Sequence, residues 1–354
     1  MKKGILILSF ILFWGSPVFA APLSPTPVPI KFYEAKIKHI KSAAIGRTIT
    51  VELTEGPLKG KTYDIIMDTT ANAAARPYHI GDAVQISYTT NPDGSTSVFI
   101  TDYIRKNQLL ILFIIFICTV ILVGRWQGIT SFIGMIFSFV IITRLIIPNI
   151  LLGNDPIFIS LLGAFFIIPI TFLLAHGMSK KTFVAIGGTL ISLTLTAFLA
   201  YTFIELSRLT GLADEEATYL IALKGAAINM KNLLLSGIII AALGVLDDIT
   251  ISQTSVVESL HKANPKYGVS DLYKHGMAVG RDHIASLVNT LVLVYAGASL
   301  PLFLLFYNAQ ISYGQVINQE IVAVEIVRTL VSSIGIIAAV PITTILASII
   351  EKKK

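Results

Sequence analysis

The hydrophobic positions follow two different patterns along the chain. From residue 30 to residue 106, short stretches of alternating apolar and polar residues are separated by Gly, Pro, Asn and Asp, as in β-strands joined by tight turns. From residue 107 to residue 354 the chain consists mainly of long apolar runs, most of them near the roughly 20 residues that a spanning helix needs. The pattern predicts a polytopic α-helical membrane protein with a small N-terminal all-β domain.

The alternating region predicts five strands, at residues 32–40, 48–53, 61–67, 83–89 and 97–103. Five short strands in one small domain suggest an OB-like barrel, and a plain sandwich or meander is the alternative. The strands carry no cluster of aromatic and basic side chains of the kind that binds oligonucleotides. We therefore expect no nucleic-acid partner for this domain.

The apolar region predicts seven spanning helices, at residues 109–123, 129–147, 157–175, 183–204, 233–249, 284–306 and 329–350. Lys and Arg are more frequent in the gaps on one side than on the other, and the richer side is normally cytoplasmic. We therefore expect the β domain outside and the C-terminus in the cytoplasm. Residues 212–230 are too polar for lipid and are interpreted as an interfacial helix on the outer side.

The first 20 residues have the features of a secretory signal peptide. Lys2 and Lys3 precede a short apolar core at residues 5–13, and small residues surround a cleavage position before Ala21. An uncleaved N-terminal anchor is the alternative. Residues 21–29 are rich in proline and are expected to form a stiff linker.

Composition supports the membrane assignment and narrows the chemistry. Hydrophobic residues make up 54% of the chain and charged residues only 14%, against about 25% charged in soluble domains. The net charge of +6 is scattered between apolar runs, which argues against a nucleic-acid interface. The single cysteine, Cys118, excludes a disulfide framework and a thiolate metal cluster.

The informative polar residues lie at the ends of the fifth and sixth predicted spans, where helical spacing places several of them on shared faces. These candidates for an ion or substrate pathway are Asp247, Asp248, Thr250, Thr254, Glu258, Arg281, Asp282, His283, Asn289 and Thr290. If the fifth span begins at Leu233, both aspartates lie within the bilayer and need a partner such as Arg281, a cation or a proton. If it begins near Ala226 with Lys231 reaching outward, they lie in water at a helix end.

A metal site is a weaker hypothesis. Glu258 and His261 lie one helical turn apart, as in carboxylate metal sites, but a solvated helix face is the commoner explanation of a single such pair. A metal would need further ligands from the same region; the candidates are Asp248, Glu258, His261, Asp282 and His283. No cofactor is evident, and coupling to a cation or a proton is the expectation.

Three motifs in a fixed order carry a family resemblance. They are HGMSKKT at residues 176–182, LGVLDD at residues 243–248 with Glu258 after it, and GRDHIASLVNTL at residues 280–291 followed by YAGASLP at residues 295–301. On these residues the chain resembles the YibE/F-like bacterial membrane proteins along nearly its whole length. The resemblance implies a multi-pass protein of the bacterial cytoplasmic membrane and implies no established activity.

Three functions fit this layout. The leading hypothesis is a transporter or permease for a small solute or cation, which uses the carboxylates near the cytoplasmic mouth. The second is a receptor with an extracytoplasmic ligand domain and a separate signalling partner. The third is an intramembrane aspartyl protease, which requires Asp248 and Asp282 within about 3 Å of each other. The expected partners are the lipid bilayer and a small solute or ion, and the oligomeric state is left open.

Overall fold

The computed structural model describes residues 31–42, 47–67, 77–90, 95–224, 227–308 and 312–352. It divides the chain into two compact units, Met1–Ile115 and Phe116–Lys354. The predicted signal peptide at residues 1–20 and the linker at residues 21–29 lie outside the described residues.

The first unit contains five antiparallel strands: β1 (Lys31–Ser42), β2 (Arg47–Leu53), β3 (Thr62–Met67), β4 (Ala83–Thr90) and β5 (Thr96–Tyr103). They form one sheet in the order β3-β2-β1-β4-β5, which curls so that β3 and β5 approach each other as a half-barrel. Each predicted strand is confirmed to within two residues. Alternate positions face inward, and the buried side chains are all apolar: Ala35, Ile37, Ile49, Val51, Leu53, Ile65, Val84 and Ile86.

The second unit is helical and continues a helix that begins in the first. The helices are α1 (Lys106–Ile141), a π-helical turn (Ile142–Ile146), α2 (Ile147–Leu151), α3 (Pro156–His176), α4 (Lys180–Leu206), α5 (Glu215–Lys224), α6 (Met230–Ala263), α7 (Val269–Ala298), α8 (Leu300–Asn308), α9 (Tyr313–Ile317) and α10 (Glu320–Lys352). Side-chain oxygens of Asp155, Ser179 and Asn229 cap the starts of α3, α4 and α6 by accepting backbone N–H groups.

Six helical segments among the described residues are long and apolar enough to cross a membrane, so the protein is membrane-embedded. The first, Lys106–Leu151, has 46 residues and contains two of the predicted spans. Arg125 interrupts it with a left-handed backbone conformation, φ 50° and ψ −131°. Gly128 then lies against the carbonyl oxygen of Val120, where a Cβ atom would approach to 2.3 Å. The segment is therefore two helices joined at a sharp turn.

Helices α4, α6 and α10 form the centre of the helical unit. Three contacts fix α4 and α6 as an antiparallel pair: Lys181 with Glu258 at 3.9 Å, Thr189 with Thr250 at 2.7 Å, and Glu205 with Lys231 at 2.5 Å. Helix α10 packs closely on α4, because Gly188 makes room for Thr343 and Gly335 makes room for Thr196.

Several helices extend beyond the predicted spans. The fifth prediction ended at residue 249, whereas α6 continues to Ala263, and the sixth began at residue 284, whereas α7 begins at Val269. A span prediction stops where the chain becomes polar, but helical backbone hydrogen bonds continue into polar sequence without interruption. The candidate pathway residues, from Asp247 to Glu258 and from Arg281 to Thr290, therefore lie inside α6 and α7 rather than at the ends of these helices.

Candidate functional site

The ion pairs Lys181–Glu258 and Glu205–Lys231 lie near the two ends of the α4–α6 pair, so the distance between them can be compared with the thickness of a membrane. Lys231 and Glu258 are 27 residues apart on α6, which is about 40 Å along the axis. That length is close to the thickness of a bilayer with its headgroups, of which about 30 Å is hydrocarbon. Asp247 lies 11 residues, or about 16 Å, from Glu258. Asp247 and Asp248 therefore lie between the two ion pairs and well away from both.

Asp247 carries an unusual carboxyl oxygen. Its Oδ1 atom is buried and has no hydrogen-bond partner. Asp247 precedes Thr250 by one helical turn, and Ser192 follows Thr189 by one turn on the antiparallel helix, so the two residues lie at the same level. The hydroxyl of Ser192 is also buried without a partner. Two polar groups at one level of the bundle therefore lack hydrogen bonds within the protein.

Asp248 is exposed and belongs to a separate group of ionisable side chains. Its carboxylate interacts electrostatically with His176 at the end of α3 and with His283 on α7. His176 in turn interacts with Lys181 at the start of α4. The histidine of the HGMSKKT motif is thereby brought towards the second aspartate of the LGVLDD motif and the histidine of the GRDH segment.

The α7 residues predicted beside His283 are exposed. Arg281 is exposed, and its Nε donates to the carbonyl oxygen of Met277 at 3.3 Å. Asp282 is also exposed, and the α7 side chain that interacts with Asp248 is His283. An aspartyl protease requires two carboxyl groups that share a proton, whereas this cluster pairs a carboxylate with imidazoles.

The remaining predicted residues divide between the interior and the surface. Thr250 is buried and shares a hydrogen bond with Thr189, and Thr254 is buried and donates to the carbonyl oxygen of Ile251 at 2.8 Å. Glu258 accepts from Lys262 at 2.7 Å in addition to its contact with α4. The last two, Asn289 and Thr290, are exposed on α7.

The five metal candidates do not form a site. In the part of the chain that the structure describes, no three His, Cys, Asp or Glu side chains come close enough to hold a metal ion. Glu258 is engaged with two lysines about three turns along α6 from Asp248.

A set of buried polar side chains in the α4–α6–α10 core was not predicted. We call this set the hydroxyl column; it consists of Thr182, Thr189, Ser192 and Thr196 on α4, Thr250, Gln253 and Thr254 on α6, and Ser332, Ser333, Thr343, Thr344, Ser348 and Glu351 on α10. The sequence holds one signal for it, because Thr182, Thr189 and Thr196 recur every seven residues and so share one helix face. The column includes Thr250 and Thr254 and reaches the level of Asp247.

A cavity of about 240 Å³ lies at the opposite end of α6, near its first turns. It is lined by apolar residues such as Leu220, Leu233 and Val324, with Asp214 and Arg328 among the polar ones. Arg328 is held by Glu325 at 2.6 Å, so its charge is already paired.

A family model described as YibE/F-like protein matches residues 112–353, which include every candidate residue named above. The β-strand region lies before the matched residues. No curated protein and no solved structure matches the chain.

Proposed function

Because the chain belongs to the YibE/F-like family, whose model covers its membrane helices, we propose that it is a transporter or permease. It moves a small solute or cation, and Asp247 and Asp248 are the carboxylates that bind a cation or proton. The observation that supports this proposal is the position of both aspartates between the two ion pairs that end the α4–α6 pair.

The energetic argument concerns the cost of a carboxylate in the bilayer. An aspartate at the centre of a spanning helix costs about 2.5–3.5 kcal/mol unless a proton, a cation or a partner compensates its charge. Two adjacent aspartates raise this cost. Asp248 is exposed, whereas Oδ1 of Asp247 is buried without a hydrogen bond. A bound proton or cation would therefore stabilise Asp247 more than Asp248.

The same proposal includes seven membrane crossings, with the β domain outside and the C-terminus in the cytoplasm. The turn at Arg125 supports it, because it divides the first apolar segment into parts of about 19 and 26 residues. Each part is close to the length that a crossing needs. The excess of Lys and Arg on one side supports the orientation.

The experiment is ion flux into liposomes that contain the purified full chain. Proton entry is followed with an internal pH dye and sodium entry with ²²Na⁺, each driven by an imposed gradient. We expect Asp247→Asn to reduce the flux of the transported ion at least ten-fold, and Asp248→Asn to reduce it by a smaller factor, because Asp248 is exposed whereas Oδ1 of Asp247 is buried.

Asp64→Asn is the matched control. Asp64 lies in the β region and accepts a hydrogen bond from Thr50 through Oδ1, which asparagine retains. The control should transport like the wild type. Wild-type flux of both ions equal to that of empty liposomes, or unchanged flux in Asp247→Asn, contradicts the proposal.

A further inference from the structure

The hydroxyl column extends along most of the core. On α10 it begins at Glu351 and ends at Ser332, 19 residues or about 28 Å away along the helix axis. This length is close to the thickness of the hydrocarbon core, about 30 Å. All members are buried, and Ser192, Thr189, Thr196 and Thr343 have no exposed surface.

The apolar interval of the column on α10 lies beside polar residues of α4. Between Ser333 and Thr343 the inward positions of α10 are apolar. The contacts of Gly335 with Thr196 and of Gly188 with Thr343 place the interval beside α4 residues 188–196. Ser192 lies in the middle of this stretch. At the same level, α6 contributes Asp247.

Three hydroxyl groups in the column have no hydrogen-bond partner, those of Ser192, Thr343 and Ser332. These three residues are 0%, 0% and 1% exposed, so bulk water does not reach them. Buried polar groups in proteins are nearly always hydrogen-bonded, and ordered water is the usual partner where the protein supplies none. The three hydroxyls and Oδ1 of Asp247 are therefore the expected positions of internal water.

We infer that the hydroxyl column holds ordered water and conducts protons to and from Asp247. Each oxygen along such a chain accepts a proton from one neighbour as it gives a proton to the next, so no group changes its net charge after passage. Hydroxyls and water can do this, whereas a dehydrated metal cation would need several oxygens at one level. The inference rests on the proposed function and specifies the proton as the ion that reaches Asp247.

The test is proton flux through the reconstituted full chain with Thr343→Val and Ser192→Ala. Valine retains the shape of threonine and removes only the hydroxyl. The matched control is Thr194→Val, because Thr194 lies on the same helix as Ser192 but is exposed and donates to Leu190. We expect at least ten-fold lower proton flux in both column variants and wild-type flux in the control.

The outcomes separate the two proposals. Proton flux within two-fold of wild type in both column variants overturns proton conduction through the hydroxyl column. The proposed function can still stand in that case, if Asp247→Asn abolishes ²²Na⁺ entry. Unchanged entry of both ions in Asp247→Asn overturns the proposed function itself. If Ser192→Ala does not yield a monodisperse protein, Thr343→Val decides the result alone.

Discussion

The two units bury different kinds of side chain. In the described part of the β unit, every residue of the core is apolar. In the described helices, 15 buried residues are polar or charged, and 13 of these form the hydroxyl column. In water the hydrophobic effect selects an apolar interior, whereas lipid is as apolar as leucine and provides no such selection between helices. Polar groups inside the helical unit therefore need another reason to be there.

The buried polar groups of the helical unit have two explanations, close packing and hydrogen bonding to water. Small polar residues allow close helix packing, as Gly188 and Gly335 show by facing threonine hydroxyls. Packing alone does not explain three hydroxyls without partners, since alanine would pack as closely without an unsatisfied group. Three variants sharpen the contrast between the units, and they are described in order of expected effect.

The largest effect is expected in the β core. Ile37→Ala removes a side chain with no exposed surface and should lower the stability of this unit by about 2–5 kcal/mol, through lost burial and a cavity. Hydrogen exchange of the strand amides in the full chain measures the loss. Ile66→Ala is the control, because Ile66 is 74% exposed. Equal effects of the two substitutions would show that this core is not packed as described.

An intermediate effect is expected where α4 meets α10. Gly188→Ala places a Cβ atom 2.5 Å from Oγ1 of Thr343, and overpacking of this kind costs about 1–3 kcal/mol. Thermal unfolding in detergent measures it. Gly187→Ala is the neighbouring control, because a Cβ there has no atom within 4 Å. If both alanines are tolerated equally, the close approach of the two helices is wrong.

The smallest effect concerns an ion pair on the surface of the β unit. The Arg105 guanidinium, hydrogen-bonded to Asp102 at 2.7 Å, lowers the pKa of that carboxyl, and the backbone N–H of Tyr103 adds to this. A lowered folded-state pKa means that the stabilisation is present above the unfolded value near 4 and is lost as pH falls through the folded value.

We therefore expect the wild type to lose slightly more stability than Asp102→Asn between pH 6 and pH 2. Unfolding of the β unit, followed by tyrosine circular dichroism, measures the difference. Because exposed pairs are screened, 1 M NaCl should reduce it. Identical pH profiles for the two proteins would show that the pair does not contribute.

The sequence predicted the β strands well because one face of the sheet is in water. Alternation between apolar and polar residues then records which side is buried, and turn residues mark the ends. Helix ends were predicted less well. A run such as residues 233–249 is recognised by hydropathy, yet α6 extends to Ala263 because its last turns are polar.

The sequence contained little indication of which face of each spanning helix points inward. When both lipid and protein neighbours are apolar, no alternation distinguishes them, and only the sevenfold spacing on α4 hinted at the column. Asp247 and Asp248 were recognisable as candidates because charge is rare in such helices. Their different surroundings depend on the register between helices, which a single sequence does not contain: Asp247 has a buried oxygen at the level of Ser192, and Asp248 is exposed and interacts with two histidines.

The three contacts between α4 and α6 also limit how the protein can move. A slip of one helical turn, about 5.4 Å, would set Lys181 beside Thr254 in one direction and beside Lys262 in the other. The hydroxyl pair and the second ion pair would separate in the same step, so the two helices are expected to move as one body. In a transporter that opens alternately to each side, the moving part would then be a helix with little packing, and α7 is mostly exposed. The register that positions Asp247 thus makes its own helix pair a single rigid body.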